Sequence, residues 1–213
     1  MFCVYRKPVK FYLLLFSLTF FLVKGTFPQL SEGSIIIDKT ERTYLIYNPK
    51  TDSGKILPLV FVFHGGGGTA KNIMKETGFN DISEKEKFIV VYPNGMNKGW
   101  NDGRKEPIEK TKYNDIEFIS KLFEKIKKDY RIDTNRIFST GISNGGFFSF
   151  YLTYKLSDIF LAIAPVTANI PENIADEYKP DNPVSLLLIN GTEDPLVKYN
   201  GGDVGFKRGK KRL

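Results

Sequence analysis

Arg136-Ile-Phe-Ser-Thr-Gly141-Ile-Ser143-Asn-Gly145-Gly146-Phe-Phe decides how this chain reads. Residues 136–140 are apolar and β-prone, and residues 147–156 are compatible with a helix. Between them stands G-x-S-x-G. A strand, a sharp turn and a helix in that order lift a serine hydroxyl above the end of a sheet. Gly141 and Gly145 remove the Cβ atoms that would clash at so tight a bend. The N–H of Asn144 then opens the helix, where it can hold a developing oxyanion. The plainer alternative is a Gly/Ser turn between two ordinary elements, and this pattern alone does not separate the two.

Two further motifs add context. The apolar run 59–63 ends in His64-Gly65-Gly66-Gly67-Gly68, an oxyanion loop of the H-G-G-G type. The apolar run 186–189 ends in Asn190-Gly191-Thr192-Glu193-Asp194-Pro195, an acid-bearing turn. Oxyanion loop, serine, acid is the chain order of the α/β-hydrolases.

The 213 residues suffice for one domain with a sizeable core, and 41% hydrophobic with 14% aromatic residues suit a globular α/β protein. The net charge of +7 is a property of the ends. Nine of the 31 basic residues fall in 1–25 and 207–213, which carry no acid, leaving 22 basic against 24 acidic residues between them. That balance gives a nucleic-acid partner little support. One cysteine, Cys3, and one histidine, His64, leave no disulfide framework and no Cys- or His-based metal site to expect. No phosphate loop or metal cluster is present in the sequence, so no cofactor is implied.

Residues 1–25 read as a secretory signal peptide. Arg6, Lys7 and Lys10 precede an apolar stretch over 11–23, and Val23 and Gly25 suit a cleavage site. The other reading of this stretch is an uncleaved anchor; export is expected either way, with no membrane association after cleavage. Residues 26–213 then form a single domain. Runs over 34–38 and 42–47 read as a hairpin, and those over 59–63, 88–92, 136–140, 159–166 and 185–189 as strands. Residues 116–126 carry apolar side chains at helical spacing, with Asp115 as the expected cap and Asn114 as the other candidate. Trp100, the one tryptophan, stands on a polar loop. It either lines a substrate site or anchors that loop on the core. Strands alternating with helical stretches predict a mostly parallel sheet with helices on both faces, and a site beyond the carboxyl ends of the strands.

The chain resembles the secreted polyhydroxybutyrate depolymerase and feruloyl esterase family of α/β-hydrolases. The resemblance rests on Arg42-Thr-Tyr-Leu-Ile-Tyr47, Pro58 to Gly66, Tyr92-Pro-Asn-Gly95 with Trp100-Asn101, Asn114-Asp115-Ile116, Gly141 to Gly146, and Asn190 to Pro195 with Tyr199-Asn-Gly-Gly202. It implies hydrolysis of a small or polymer-linked carboxylic ester through an acyl-enzyme. Ser143 would be the nucleophile and Asp194 the acid orienting a histidine, with Glu193 as a neighbouring stand-in. Gly65, Gly66 and the Asn144 N–H would form the oxyanion hole. The chain departs from the family at Asn190, commonly histidine there. It also departs after the acid, where the family's catalytic histidine, last strand and closing helix are not found before Leu213. The expectation is an α/β-hydrolase domain incomplete at its C-terminus. His64 stands at the entry to the oxyanion loop, where it suits a structural hydrogen bond better than a base. Three readings follow: a secreted serine esterase; a non-catalytic remnant that binds a ligand or partner; a serine peptidase or lipase on the same fold.

Overall fold

The first strands form because the sequence alternates. In β1 (Leu30–Ile37) exposed and half-buried residues alternate up to the buried Ile37, and β2 (Thr40–Tyr47) ends in a buried run. The loop between them is Asp38-Lys39, at φ 47° and 65°. Both residues are left-handed, as a two-residue hairpin turn demands. This is a computed structural model, and it describes residues 29–52, 54–104, 112–176, 179 and 181–204. The expected signal segment and the basic end from residue 205 lie outside the described residues.

The later strands include the continuous apolar runs 59–63 and 89–92, as befits strands covered on both faces. These later strands are β3 (Leu57–Phe63), β4 (Ile89–Pro93), β5 (Ile132–Ile142), β6 (Ala162–Val166) and β7 (Ser185–Leu186). The seven-stranded sheet runs β1-β2-β4-β3-β5-β6-β7. Pairing is antiparallel from β1 to β4 and parallel from β4 to β7. The expected mostly parallel α/β sheet is therefore present. β5 begins at Ile132, ahead of the strand expected over 136–140. Bonds from Leu187 N–H to Ile163 O and from Ile189 N–H to Pro165 O carry the β6 pairing past the end of β7.

The helices are α1 (Ala70–Thr77), α2 (Phe79–Glu86), α3 (Asp115–Asp129), α4 (Asn144–Lys155) and the short α5 (Glu172–Ala175). Gly78, at φ 63°, closes α1 and opens α2. Asn114, not Asp115, caps α3: its side chain accepts the Glu117 N–H at 3.0 Å. Asp115 is withdrawn into the core by Arg42, a partner 73 residues away.

Strand alternation sorts the core. Leu59, Phe61, Phe63, Ile89, Val91 and Ile137 meet Phe118, Ile119 and Leu122 of α3 and Phe148 and Leu152 of α4. Each such large side chain contributes about 1.5–3 kcal/mol on burial. On the other face, Val62, Val90 and Tyr92 pack on Ala70 and Ile73 of α1. That cover stops at β3. Beyond it lies an open apolar groove of about 730 Å³ over Phe138, Thr140, Ile142, Ala164 and Val166. Leu186, Leu187, Leu188 and Ile189 are exposed beside it.

Candidate active site

Ser143 leaves β5 at φ 53°, ψ −118° and precedes the first residue of α4. A non-glycine residue in that region stores about 1–3 kcal/mol of strain, which surrounding contacts must hold. They are in place. The Ser143 N–H donates to Val166 O at 2.8 Å, and the Phe147 N–H donates to Ser143 O at 2.9 Å. A β-carbon on Gly145 would lie 2.5 Å from Phe63 O and 2.6 Å from His64 O. Only glycine lets the helix start touch the end of β3 so closely.

That contact seats the glycine loop beside the serine. A β-carbon on Gly65 would come within 3.8 Å of Ser143 Cβ, and one on Gly66 within 3.8 Å of Asn144 Cβ. Within the loop, the Gly67 N–H donates to Lys98 O at 2.7 Å and the Gly68 N–H to Gly65 O at 3.0 Å. Among the described residues the N–H groups of Gly65, Gly66 and Asn144 have no acceptor. The three residues expected to form the oxyanion hole are therefore gathered around Ser143, with donors to offer. A cavity of about 300 Å³ opens beside them, bounded by Gly66, Gly67, Lys98, Tyr113 and Asn144.

His64 is buried, and both ring nitrogens are engaged. The Gly95 N–H donates to Nε2 at 3.0 Å, so Nε2 is unprotonated; Nδ1 then carries the proton and donates to Gly65 O at 2.8 Å. Burial lowers the imidazole pKa below 6.5, against a smaller opposing effect of the Gly65 carbonyl. The ring is a neutral brace for the loop.

Trp100 is among the residues that bound the cavity beside the glycine loop, while its ring points into the core. It is fully buried, stacks on Phe148 at 4.9 Å between centroids, and donates Nε1–H to His64 O at 2.9 Å. A large ring on a polar loop finds its apolar partner under the site, and so it anchors that loop.

Asp194 sits past the end of β7, in a turn with its N–H on Gly191 O at 3.3 Å. Its Oδ1 accepts the N–H groups of Leu196 and Val197 at 2.8 and 2.9 Å. Those bonds favour the charged form and hold the carboxyl below its ordinary 3.8. Val166 to Asn169 links serine and acid turns: Val166 O holds the Ser143 N–H, and the Asn190 side chain bonds both the N–H and the C=O of Ala168. Among the described residues no group of three or more His, Cys, Asp or Glu is placed to hold a metal, and no helix is long and apolar enough to cross a membrane.

Sequence reading missed the buried polar residues behind the site. The Asn144 side chain bonds the N–H and C=O of Trp100 and the carboxylate of Asp102. Asp102 in turn takes Arg104. Their one visible signal was charge and amide groups crowded around the single tryptophan.

The mostly parallel sheet and the sharp strand-to-helix turn at the end of β5 define the class, an α/β-hydrolase. The profile of the Esterase family, described as "Putative esterase", matches residues 36–188, and the chain belongs to that family. It is 30% identical over 162 residues to feruloyl esterase B of Piromyces equi, covering 73% of this chain and 30% of that one. It is 27% identical over 184 residues to feruloyl esterase C of Emericella nidulans, covering 84% and 63%. It is 28% identical over 144 residues to the bifunctional acetylxylan esterase/xylanase XynS20E of Neocallimastix patriciarum, covering 67% and 20%. The chain thus spans less than two thirds of the length of each of these relatives. In fold it is similar to an acetyl xylan esterase from Aspergillus awamori, at a TM-score of 0.65 and 16% identity over 80% of this chain and 76% of the other.

Proposed function

We propose that this chain carries the nucleophile, oxyanion hole and acid of a serine carboxylic ester hydrolase acting on feruloyl or acetyl esters of polysaccharides. One observation carries the reading: Ser143 is held at φ 53° against a glycine loop, beside the N–H groups of Gly65, Gly66 and Asn144, which have no acceptor among the described residues. The named relatives supply the substrate class. The Ser143 oxygen attacks the ester carbonyl carbon, and the carbonyl oxygen becomes an oxyanion held by those N–H groups. Collapse expels the alcohol and leaves an acyl-serine, which water then cleaves.

The proton of Ser143 needs an acceptor. The sequence holds one histidine, and His64 has both nitrogens engaged. His64 is therefore not that acceptor. Without any acceptor, catalysis would fall toward the roughly 10³–10⁴ over water that an oxyanion hole and binding supply alone. That commitment of His64 favours a second reading: a family member that binds esters and turns them over little or not at all. Export through residues 1–25 is part of the proposal, supported by the basic start and apolar run.

The test is release from p-nitrophenyl acetate, methyl ferulate, acetylated xylo-oligosaccharides and a 3-hydroxybutyrate ester by the full chain, beside Ser143→Ala. Slow turnover that disappears in the variant supports the hydrolase. Saturable methyl ferulate binding with equal background release in both proteins supports the second reading and ends the first.

A further inference from the structure

The oxyanion donors come from two segments with no covalent tie near the site. Gly65 and Gly66 follow β3, and Asn144 opens α4. We propose that residues 94–104 form a strap that fixes these two halves relative to each other, with the Asn144 side chain, backed by Asp102, as its positioning group. The inference rests on the serine hydrolase reading above.

On the first half, the strap holds the glycine loop at three points. Lys98 O accepts the Gly67 N–H at 2.7 Å, the Gly95 N–H meets His64 Nε2 at 3.0 Å, and Trp100 Nε1–H meets His64 O at 2.9 Å. On the second half, it holds the start of α4. Asn144 Oδ1 accepts the Trp100 N–H at 2.8 Å, while its Nδ2 donates to Trp100 O at 3.1 Å and to Asp102 Oδ2 at 2.5 Å. One side-chain amide thus grips both polar groups of the Trp100 backbone. The same residue's own N–H is one of the oxyanion donors in the reading above.

Asp102 makes the grip rigid. It is fully buried, and Arg104 closes on it with Nη2 at 2.6 Å from Oδ2. The Arg104 guanidinium lies over the Phe147 ring at 4.0 Å, one turn further along α4. The strap is also strained where it meets the glycine loop: Asn97 and Lys98 take φ values of 50° and 58°. Non-glycine residues persist there only when contacts on either side over-determine them. Here those contacts are Lys98 O on Gly67 and the Asn144 amide on Trp100.

Asn144→Ala separates the two roles of this residue. It keeps the backbone donor and deletes the side-chain bonds. The readout is equilibrium binding of phenylboronic acid, which needs no turnover. The Ser143 oxygen adds to trigonal boron, its proton leaves to buffer, and the tetrahedral adduct places a B–O⁻ character oxygen toward the donors. Binding is expected in the unsubstituted chain and lost in Ser143→Ala. Asn144→Ala and Asp102→Ala are expected to weaken it about tenfold, less than the roughly 10²–10³ that goes with loss of an oxyanion donor itself, because the backbone N–H remains. Their far-UV circular dichroism should be retained. Asp102→Asn keeps an acceptor for Asn144 Nδ2 and should recover most of the affinity, which a merely structural carboxylate would not allow. Unchanged affinity in both alanine variants overturns the strap while leaving the serine reading in place. Asp102→Asn binding no better than Asp102→Ala removes Asp102 from the proposal. No Ser143-dependent adduct in the unsubstituted chain overturns both. If Asn144→Ala fails to fold, the two Asp102 variants decide.

Discussion

His64 accepts the Gly95 N–H through Nε2 at 3.0 Å, so the histidine beside the oxyanion loop is held neutral by a backbone donor. Its pKa lies below 6.5 because it is buried. As pH falls through 6.5 the unfolded chain takes up this proton first. The His64 contribution is therefore complete above 6.5 and is lost on acidification toward the lower folded value. The limiting slope is about 1.4 kcal/mol per pH unit for one proton. Urea unfolding above and below pH 6.5 should show the loss, and His64→Gln should flatten it. An equal slope in the variant would assign the effect to other groups.

Arg42 and Asp115 form an ion pair at 2.5 Å with side chains only 1% and 2% exposed. The guanidinium lies 4.1 Å over Phe118, and Asp115 Oδ2 takes the Asn101 N–H at 2.7 Å. Burial pushes the Asp115 pKa up, against the opposing pull of Arg42. Asp115→Ala would leave a buried unpaired cation and should cost about 3–5 kcal/mol. Arg42→Met combined with Asp115→Leu should cost less than the two single changes together. A denaturation cycle with additive effects would show that the pair does not act as a unit.

Gly145→Ala and Gly66→Ala should differ sharply. The first places a methyl group 2.5 Å from Phe63 O and 2.6 Å from His64 O, where backbone on both sides must move. The expected loss is about 1–3 kcal/mol, the usual range for overpacking, with poorer soluble yield. The second meets nothing closer than Asn144 Cβ at 3.8 Å and should stay within about 0.5 kcal/mol of the parent. Denaturant midpoints of the two variants check this directly.

Asp194 should titrate below 3.8, because the Val197 and Leu196 N–H groups bond its charged form. Its share of stability is present above 3.8 and disappears as pH falls through the lower folded value. A carboxyl carbon titration by nuclear magnetic resonance, with Asp194→Asn to assign the signal, reads the midpoint. A value at or above 3.8 would mean that the turn around it is open in solution.

Much of the sheet was legible because its central strands carry short apolar runs. The runs at 59–63, 88–92 and 136–140 announce β3, β4 and β5 to within a few residues. The positions of Ser143, Gly65, Gly66 and Asn144 followed from motif and chain order, since a turn is a local matter. α1 and α2 were not legible: Ala70–Thr77 and Phe79–Glu86 are short and mostly polar, with few buried side chains. The pairing that takes Asp115 from cap to core depends on Arg42, and the burial of Trp100 depends on Phe148. Both are contacts between distant segments, which no local pattern records. The same holds for the Asn144 side chain, whose partners lie more than 40 residues upstream.

The order of the strands also sets a timetable. β3 lies between β4 and β5, yet it ends at Phe63 while β5 begins only at Ile132. At a synthesis rate of about 5–20 residues per second, the interval is on the order of several seconds. Throughout it, Leu57-Pro-Leu-Val-Phe-Val-Phe63 has at least one flank unpaired, and both until Ile89–Pro93 is made. Such long-range parallel pairing is slow to form and exposed to aggregation meanwhile. Slower growth at low temperature, or a chaperone that shelters an apolar strand, should therefore raise the yield of folded protein more than any change at the serine.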